Sequence, residues 1–242
     1  MSEVTTPVPP SAAVPPGATL DDLPVTDGLT IGVLGGTGPQ GRGLARRLAQ
    51  SGLTVLLGSR AADRAEGAAA PMAAEGLPCR GGSNEDVAAA ADVVIVAVPY
   101  EGHRDLLAAL AVPLAGKIVV DCVNPMDKDD KGMHAIPVAE GSAAQEAAAV
   151  LPDSRVVAAF HHVSAVLLED TEVSTFDLDV LVLGDDRKAT DLVQALAGRI
   201  PGMRGIYAGK LRNAGQVEAL TVNLIAINIR YKAHAGIRVT DV

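Results

Sequence analysis

Thr30-Ile31-Gly32-Val33-Leu34-Gly35-Gly36-Thr37-Gly38-Pro39-Gln40-Gly41 decides how this chain is read. An apolar run enters a glycine-rich turn, and the turn opens a helical pattern that continues to about Gln50. Gly36, Gly38 and Gly41 fit G-x-G-x-x-G. In that motif the first glycine allows the tight turn, the second lets backbone approach a pyrophosphate, and the third lets helix and strand pack closely. The free N–H groups and positive dipole end of the helix favour a phosphate. A second apolar run, 53–57, follows at once. This order predicts a dinucleotide site whose phosphate loop is Gly36, Thr37, Gly38, Pro39, Gln40 and Gly41.

The end of the second strand names the dinucleotide. An Asp or Glu about 20 residues past the glycines would hold the 2′-hydroxyl of NAD. Here Gly58-Ser59-Arg60 stands at that place, with Arg64 one helical turn on and Asp63 inside the next helix. One hydroxyl and two guanidinium groups suit a 2′-phosphate, which Arg grips in a bidentate fork. The alternative is a solvated basic face. The pattern favours NADP.

Composition sets the limits. The chain has 242 residues, 48% of them hydrophobic, enough for a sizeable core built from Val, Leu, Ile and Ala. There is no Trp, with two Phe and three Tyr, which argues against a stacking platform for single-stranded nucleic acid. A net charge of −9 argues against nonspecific nucleic-acid binding. Cys79 and Cys122 make neither a metal motif nor a disulfide scaffold, so a reducing, cytoplasmic setting is expected and no metal. No apolar run approaches the roughly 20 residues of a bilayer span. Residues 1–27, rich in Pro, Ala and Thr, lack a signal-peptide pattern and are expected to be a disordered tail. From Arg199 onward the net charge is +5. That basic end suggests either a second anionic ligand or a face that neutralises acidic neighbours.

Strand and helix alternate along the chain, which predicts an α/β fold: a doubly wound, mainly parallel Rossmann-type sheet with a small C-terminal α/β region. Strands are expected at 29–34, 53–57, 77–80, 92–98, 117–120, 155–160 and 176–183. Helices are expected at 40–50, 61–74, 84–90 (capped by Asn84), up to 110, 140–150, up to 199 and 211–232. Residues 121–132, with Pro125 and alternating charges, read as a loop. The expected division is a tail at 1–27, an NADP-binding domain at 28–152 and a smaller region at 153–242.

Gly-Gly-Thr-Gly-Pro-Gln-Gly at 35–41, Gly-Ser-Arg at 58–60, Val-Pro-Tyr-Glu at 98–101 and Glu-Ala-Leu-Thr at 218–221 resemble coenzyme F420-dependent NADP reductases over about residues 29–237. The resemblance implies hydride transfer between C5 of the reduced deazaflavin F420 and C4 of the nicotinamide of NADP, both carriers binding together. It implies that Thr37, Ser59, Arg60 and Arg64 hold the adenine-ribose phosphate end. Pro99 and Tyr100, with Val98 before them, match positions beside the ribose and nicotinamide. His161, His162, Val163 and Ser164 match the stretch on which the rings stack, although family members often carry Thr-Ile-Pro where this chain has His162-Val163-Ser164. A homodimer joined through the final apolar helix is also implied.

Such a reaction needs orientation more than acid–base help. Val163, with Ala165 behind it, would wall off water. His161 would donate a hydrogen bond to a ring carbonyl or stabilise charge on the deazaflavin, so His161 and Val163 are the catalytic candidates. Lys210, Arg212 and Arg230 are candidates for the phosphate and glutamate tail of F420. His103 and His134 receive no role. Two alternatives stand beside this reading: an NADPH-dependent reductase of a small carbonyl or imine substrate, with Lys210 as its proton donor, and a non-catalytic NADP sensor.

Overall fold

The computed structural model describes residues 22–242. The chain runs β1 (Thr30–Leu34), α1 (Pro39–Gln50), β2 (Thr54–Ser59), α2 (Ala62–Ala74), β3 (Cys79–Ser83), α3 (Asn84–Ala90) and β4 (Val93–Val96). It continues with α4 (His103–Ala109), α5 (Ala111–Leu114), β5 (Ile118–Asp121), β6 (Met126–Asp129), β7 (Gly132–Ala135), α6 (Ala143–Val150), β8 (Arg155–Ala158) and α7 (Ala165–Glu169). Last come β9 (Leu178–Gly184), α8 (Arg187–Ala197), β10 (Met203–Gly209), a 3-10 turn and α9 (Ala214–Tyr231).

Eight strands form one sheet in the order β10-β9-β8-β5-β4-β1-β2-β3. Its central strands are apolar except at their ends, Thr30 and Asp121, because both faces are covered. Alternate residues divide between two cores. Ile31, Val33 and Ile95 face α1, α2, α7 and α8. Leu34, Val94 and Val96 face α3, α4, α5, α6 and α9. All neighbouring strands run parallel except β8 and β9, which pair antiparallel through Val157–Gly184 and Ala158–Leu183. The parallel strands β1, β2, β4, β5 and β8 therefore end on one edge, where an open α/β sheet binds its ligand.

The sheet runs on across residues 152 and 153, since β8 pairs with β5. Several expectations need correction. The loop expected at 121–132 contains β6 and the start of an antiparallel hairpin with β7. Its strands are short and largely exposed, so no buried face imposed an alternating pattern. Helix α3 is capped by Ser83, whose Oγ accepts the Asp86 N–H, and not by Asn84. Of the expected tail, residues 1–21 lie outside the described residues. At the described end of it Thr26 is buried, and Asp27 pairs with Arg199 at 2.6 Å.

Candidate active site

The phosphate loop is built by close approach of backbone. Gly35, not Gly36, takes the left-handed turn, with φ +75°. A Cβ on Gly36 would lie 2.5 Å from Leu57 Cδ2, so that glycine lets the loop sit on β2. A Cβ on Gly41 would lie 2.8 Å from the Gly35 carbonyl oxygen, so that one lets α1 sit on the turn. A Cβ on Gly38 would meet nothing nearer than 3.5 Å, so protein packing alone does not require glycine there. Its bare backbone suits a ligand that must come close. Pro39 occupies the first turn of α1, where a missing N–H costs nothing, and no side chain caps that helix start.

Beside the loop lies a cleft of about 410 Å³. It brings together Thr37, Gly38, Ser59, Arg60, Arg64, Val98 and Pro99 from the sequence-based set, and adds Asn84, Glu101 and Leu106. Arg60 and Arg64 are exposed at its rim, and among the described residues neither is held by a carboxylate. Ser59 is buried at the end of β2. An anionic group entering here meets free cations at one end and uncapped N–H groups at the other.

The segment 160–165 follows β8 on the same edge. Gln40, on the first turn of α1, donates through Nε2 to the Phe160 carbonyl at 3.2 Å and so ties this segment to the phosphate loop. Phe160, fully buried, holds φ +62°, an uncommon conformation for a bulky residue and a sign of stored strain at the turn. The His161 carbonyl accepts from Asn124 Nδ2 at 2.9 Å and from Thr221 Oγ1 at 3.2 Å. Both His161 ring nitrogens are buried without a partner. Burial holds its imidazole down at about 4, so it is neutral at physiological pH.

Val163 is buried, and Ser164 caps α7 through its Oγ. Behind α7 stands Arg47 of α1. Its guanidinium donates to the carbonyls of Leu167, Leu168, Asp170 and Val173 at 2.5 to 3.0 Å. Those are end-of-helix carbonyls and the loop beyond, groups that a short helix leaves without internal partners. Arg47 therefore fixes α7, which carries Ala165, against α1.

Three sequence-based candidates have contacts within the protein. His162 is buried, and its Nε2 accepts the Leu181 N–H of β9 at 3.4 Å. Tyr100 packs against His103, with ring centroids 6.2 Å apart. Burial, helped by Glu146, raises its phenol above the usual range. Lys210 donates to the Asp185 carbonyl beyond the end of β9, a strand that runs against the site-forming strands. Nor is the basic C-terminal end wholly free for a ligand. Arg199 pairs with Asp27, Arg204 with Asp179, and Arg238 with Asp177 and Asp179. Arg212 and Arg230 bracket the 18-residue α9, roughly 27 Å at 1.5 Å per residue, too far apart to hold one phosphate within a single subunit.

One polar constellation went unread in the sequence. His103, fully buried, places Nε2 2.6 Å from Asp121 and Nδ1 3.0 Å from Glu146. Burial opposes its charge, but the two carboxylates override it and lift the imidazole to about 9. Close by, Glu218 of α9 accepts the N–H groups of Ala143 and Ala144 at the start of α6. Burial raises its carboxyl to about 7 against those two donors. Asp121 at a strand end and Asn124 just beyond it were the available signals. Among the described residues there is no cluster of metal-ligating side chains, and no helix is long and apolar enough to cross a membrane.

Known proteins place this arrangement. The family model described as NADP oxidoreductase, coenzyme F420-dependent, matches residues 30–125. An F420-dependent NADP reductase of Methanothermobacter thermautotrophicus is 40% identical over 223 residues, covering 88% of this chain and 95% of the relative. One from Methanocaldococcus jannaschii is also 40% identical over 223 residues and is covered to 99%. A crystal structure provisionally assigned as an F420-dependent NADP reductase of Arthrobacter sp. FB24 superposes with a TM-score of 0.74 at 30% identity, over 88% of this chain and all of that one. Shared identity at this level along nearly the full length of the relatives means that the chain belongs to the F420-dependent NADP reductase family.

Proposed function

We propose that this protein transfers a hydride between reduced coenzyme F420 and NADP+, reversibly. The observation that carries the reading is the cleft in which the uncapped glycine loop meets Ser59 and two free arginines, in a chain of this family. The carriers supply the chemistry: C5 of the deazaflavin gives a hydride to C4 of the nicotinamide, and a proton is released. The protein's part is placement. Gly38 and the start of α1 hold the pyrophosphate. Thr37, Ser59, Arg60 and Arg64 hold the adenine-ribose phosphate end. Val98 and Pro99 line the ribose side. Val163 and Ala165 exclude water at the rings. The neutral His161 offers an N–H to a ring carbonyl without competing for the proton. The 153–242 region completes the F420 side.

A carbonyl or imine reductase would need a proton donor at the ring, and Lys210 is bonded to Asp185 instead. Mixing the protein with NADPH and oxidised F420 tests the reading. The deazaflavin absorbance is expected to fall only when both carriers and protein are present. Consumption of NADPH that requires an added carbonyl compound, or tight binding of NADPH without turnover, would contradict it.

The same reading includes a homodimer in a reducing cytoplasm, with no nucleic-acid partner. Cys79 and Cys122 are free and buried, consistent with that compartment. Leu220, Ile227 and Tyr231 recur on one face of α9 and are exposed, a stripe suited to a second copy. Sedimentation at micromolar concentration is expected to give a dimer, and Ile227→Asp a monomer. A monomeric parent protein would contradict the assignment.

A further inference from the structure

We propose that Asn84 is a nucleotide-binding residue whose carboxamide hydrogen-bonds the 3′-hydroxyl of the adenosine ribose. This rests on the cleft being the NADP site. Asn84 is 7% exposed and is among the residues that line that cleft. Its Oδ1 is buried without a hydrogen-bond partner. A buried amide oxygen left unpaired costs free energy, and in native proteins it usually has a reason.

Capping is not that reason. Asn84 begins α3, but the cap is supplied by Ser83, whose Oγ accepts the Asp86 N–H at 3.1 Å. Gly58, near the end of β2, lies against the carboxamide without pairing with it: a Cβ there would lie 2.7 Å from Asn84 Oδ1, 3.2 Å from Leu34 Cδ2 and 3.4 Å from the Asn84 Cα.

Position selects the ligand atom. Gly58 immediately precedes Ser59 and Arg60, the residues placed for the 2′-phosphate. The ribose carbon beside the phosphorylated one carries the 3′-hydroxyl. A hydroxyl both donates and accepts, so either end of a carboxamide can pair with it.

A thermodynamic cycle tests the pairing by calorimetric titration with NADP+ and with 3′-deoxy-NADP+. Removing the hydroxyl is expected to weaken binding to the unaltered protein about 3- to 10-fold, the range of one neutral hydrogen bond. Asn84→Ala is expected to weaken NADP+ by the same factor and to bind both nucleotides alike. Asn84→Asp is expected to weaken NADP+ more than 10-fold and NAD+ little, because a carboxylate would then face the 2′-phosphate. Tight NADP+ binding in which the unaltered protein ignores the missing hydroxyl, or in which the two deletions simply add, overturns the assignment of Asn84 alone. Failure of NADP+ to bind at all would remove the site reading together with it.

Discussion

Replacing Arg60 with alanine is expected to raise the KM for NADPH about 30- to 100-fold and to change that for NADH less than about threefold. The guanidinium sits free at the cleft rim, one residue past the buried Ser59. Its expected partner is the 2′-phosphate, and a hydrogen bond to a charged group contributes about 1.5–3 kcal/mol, with bidentate geometry at the upper end. Two to three kcal/mol corresponds to roughly 30- to 150-fold in affinity. Arg64, exposed one turn further along, would retain part of the attraction, which keeps the loss from the top of that range. Because the contact is at the rim, raising the salt concentration should shrink the difference between parent and variant. Steady-state kinetics with both nucleotides measures this directly. Equal losses on NADPH and NADH would show that Arg60 does not read the extra phosphate.

The largest effect on stability is expected at His103. His103→Leu leaves Asp121 and Glu146 without their shared cation inside the protein, and breaking a buried pair in this way costs about 3–5 kcal/mol. Its titration also gives the protein a defined alkaline limb. The folded imidazole, lifted to about 9, holds a proton that the unfolded chain gives up near 6.5. The stabilisation is therefore complete below pH 6.5 and disappears as pH rises through 9, a loss of up to about 3 kcal/mol. Glu218 acts in the same direction at lower pH. Its carboxyl, raised to about 7, favours the folded state most when protonated, and that advantage fades between about pH 4.5 and 7. His161 and His162, held near 4 by burial, act oppositely and cost stability as pH falls from 6.5 to 4. Urea unfolding of the parent protein is expected to be easier at pH 9.5 than at pH 6.5. In a histidine variant that still folds, the decline above pH 7 should be much reduced. A parent midpoint that stays level between pH 7 and 9.5 would contradict the network's charge state.

The glycine loop and the Ser59-Arg60 wall of the candidate cleft were legible because their determinants are contiguous. Glycine spacing, a strand before and a helix after can all be read within a dozen residues, and Ser59-Arg60 falls at a fixed distance beyond. Even there one detail was misread: the turn falls on Gly35, whose φ is a property of backbone that no residue-type pattern separates from its neighbour. The His103, Asp121, Glu146 and Glu218 network was not legible. Its members are scattered along the chain, and only the stacking of α4, β5, α6 and α9 brings them together. The turning of His162 toward Leu181 was hidden for a related reason. Two adjacent histidines at a strand end look equivalent until the reversed direction of β9 gives one of them a backbone N–H to accept.

Arg47 links two parts of the site that the sequence keeps more than a hundred residues apart. Its donors fasten the α7 turn to the same helix whose opening turn carries the phosphate loop, while Gln40 ties Phe160 to that opening turn. Under the proposed function, grip on the pyrophosphate and support for the stacked rings would belong to one stiff bracket. A long nucleotide would then meet a jig already set to its span, with little of its binding energy consumed in bringing the two grips into line.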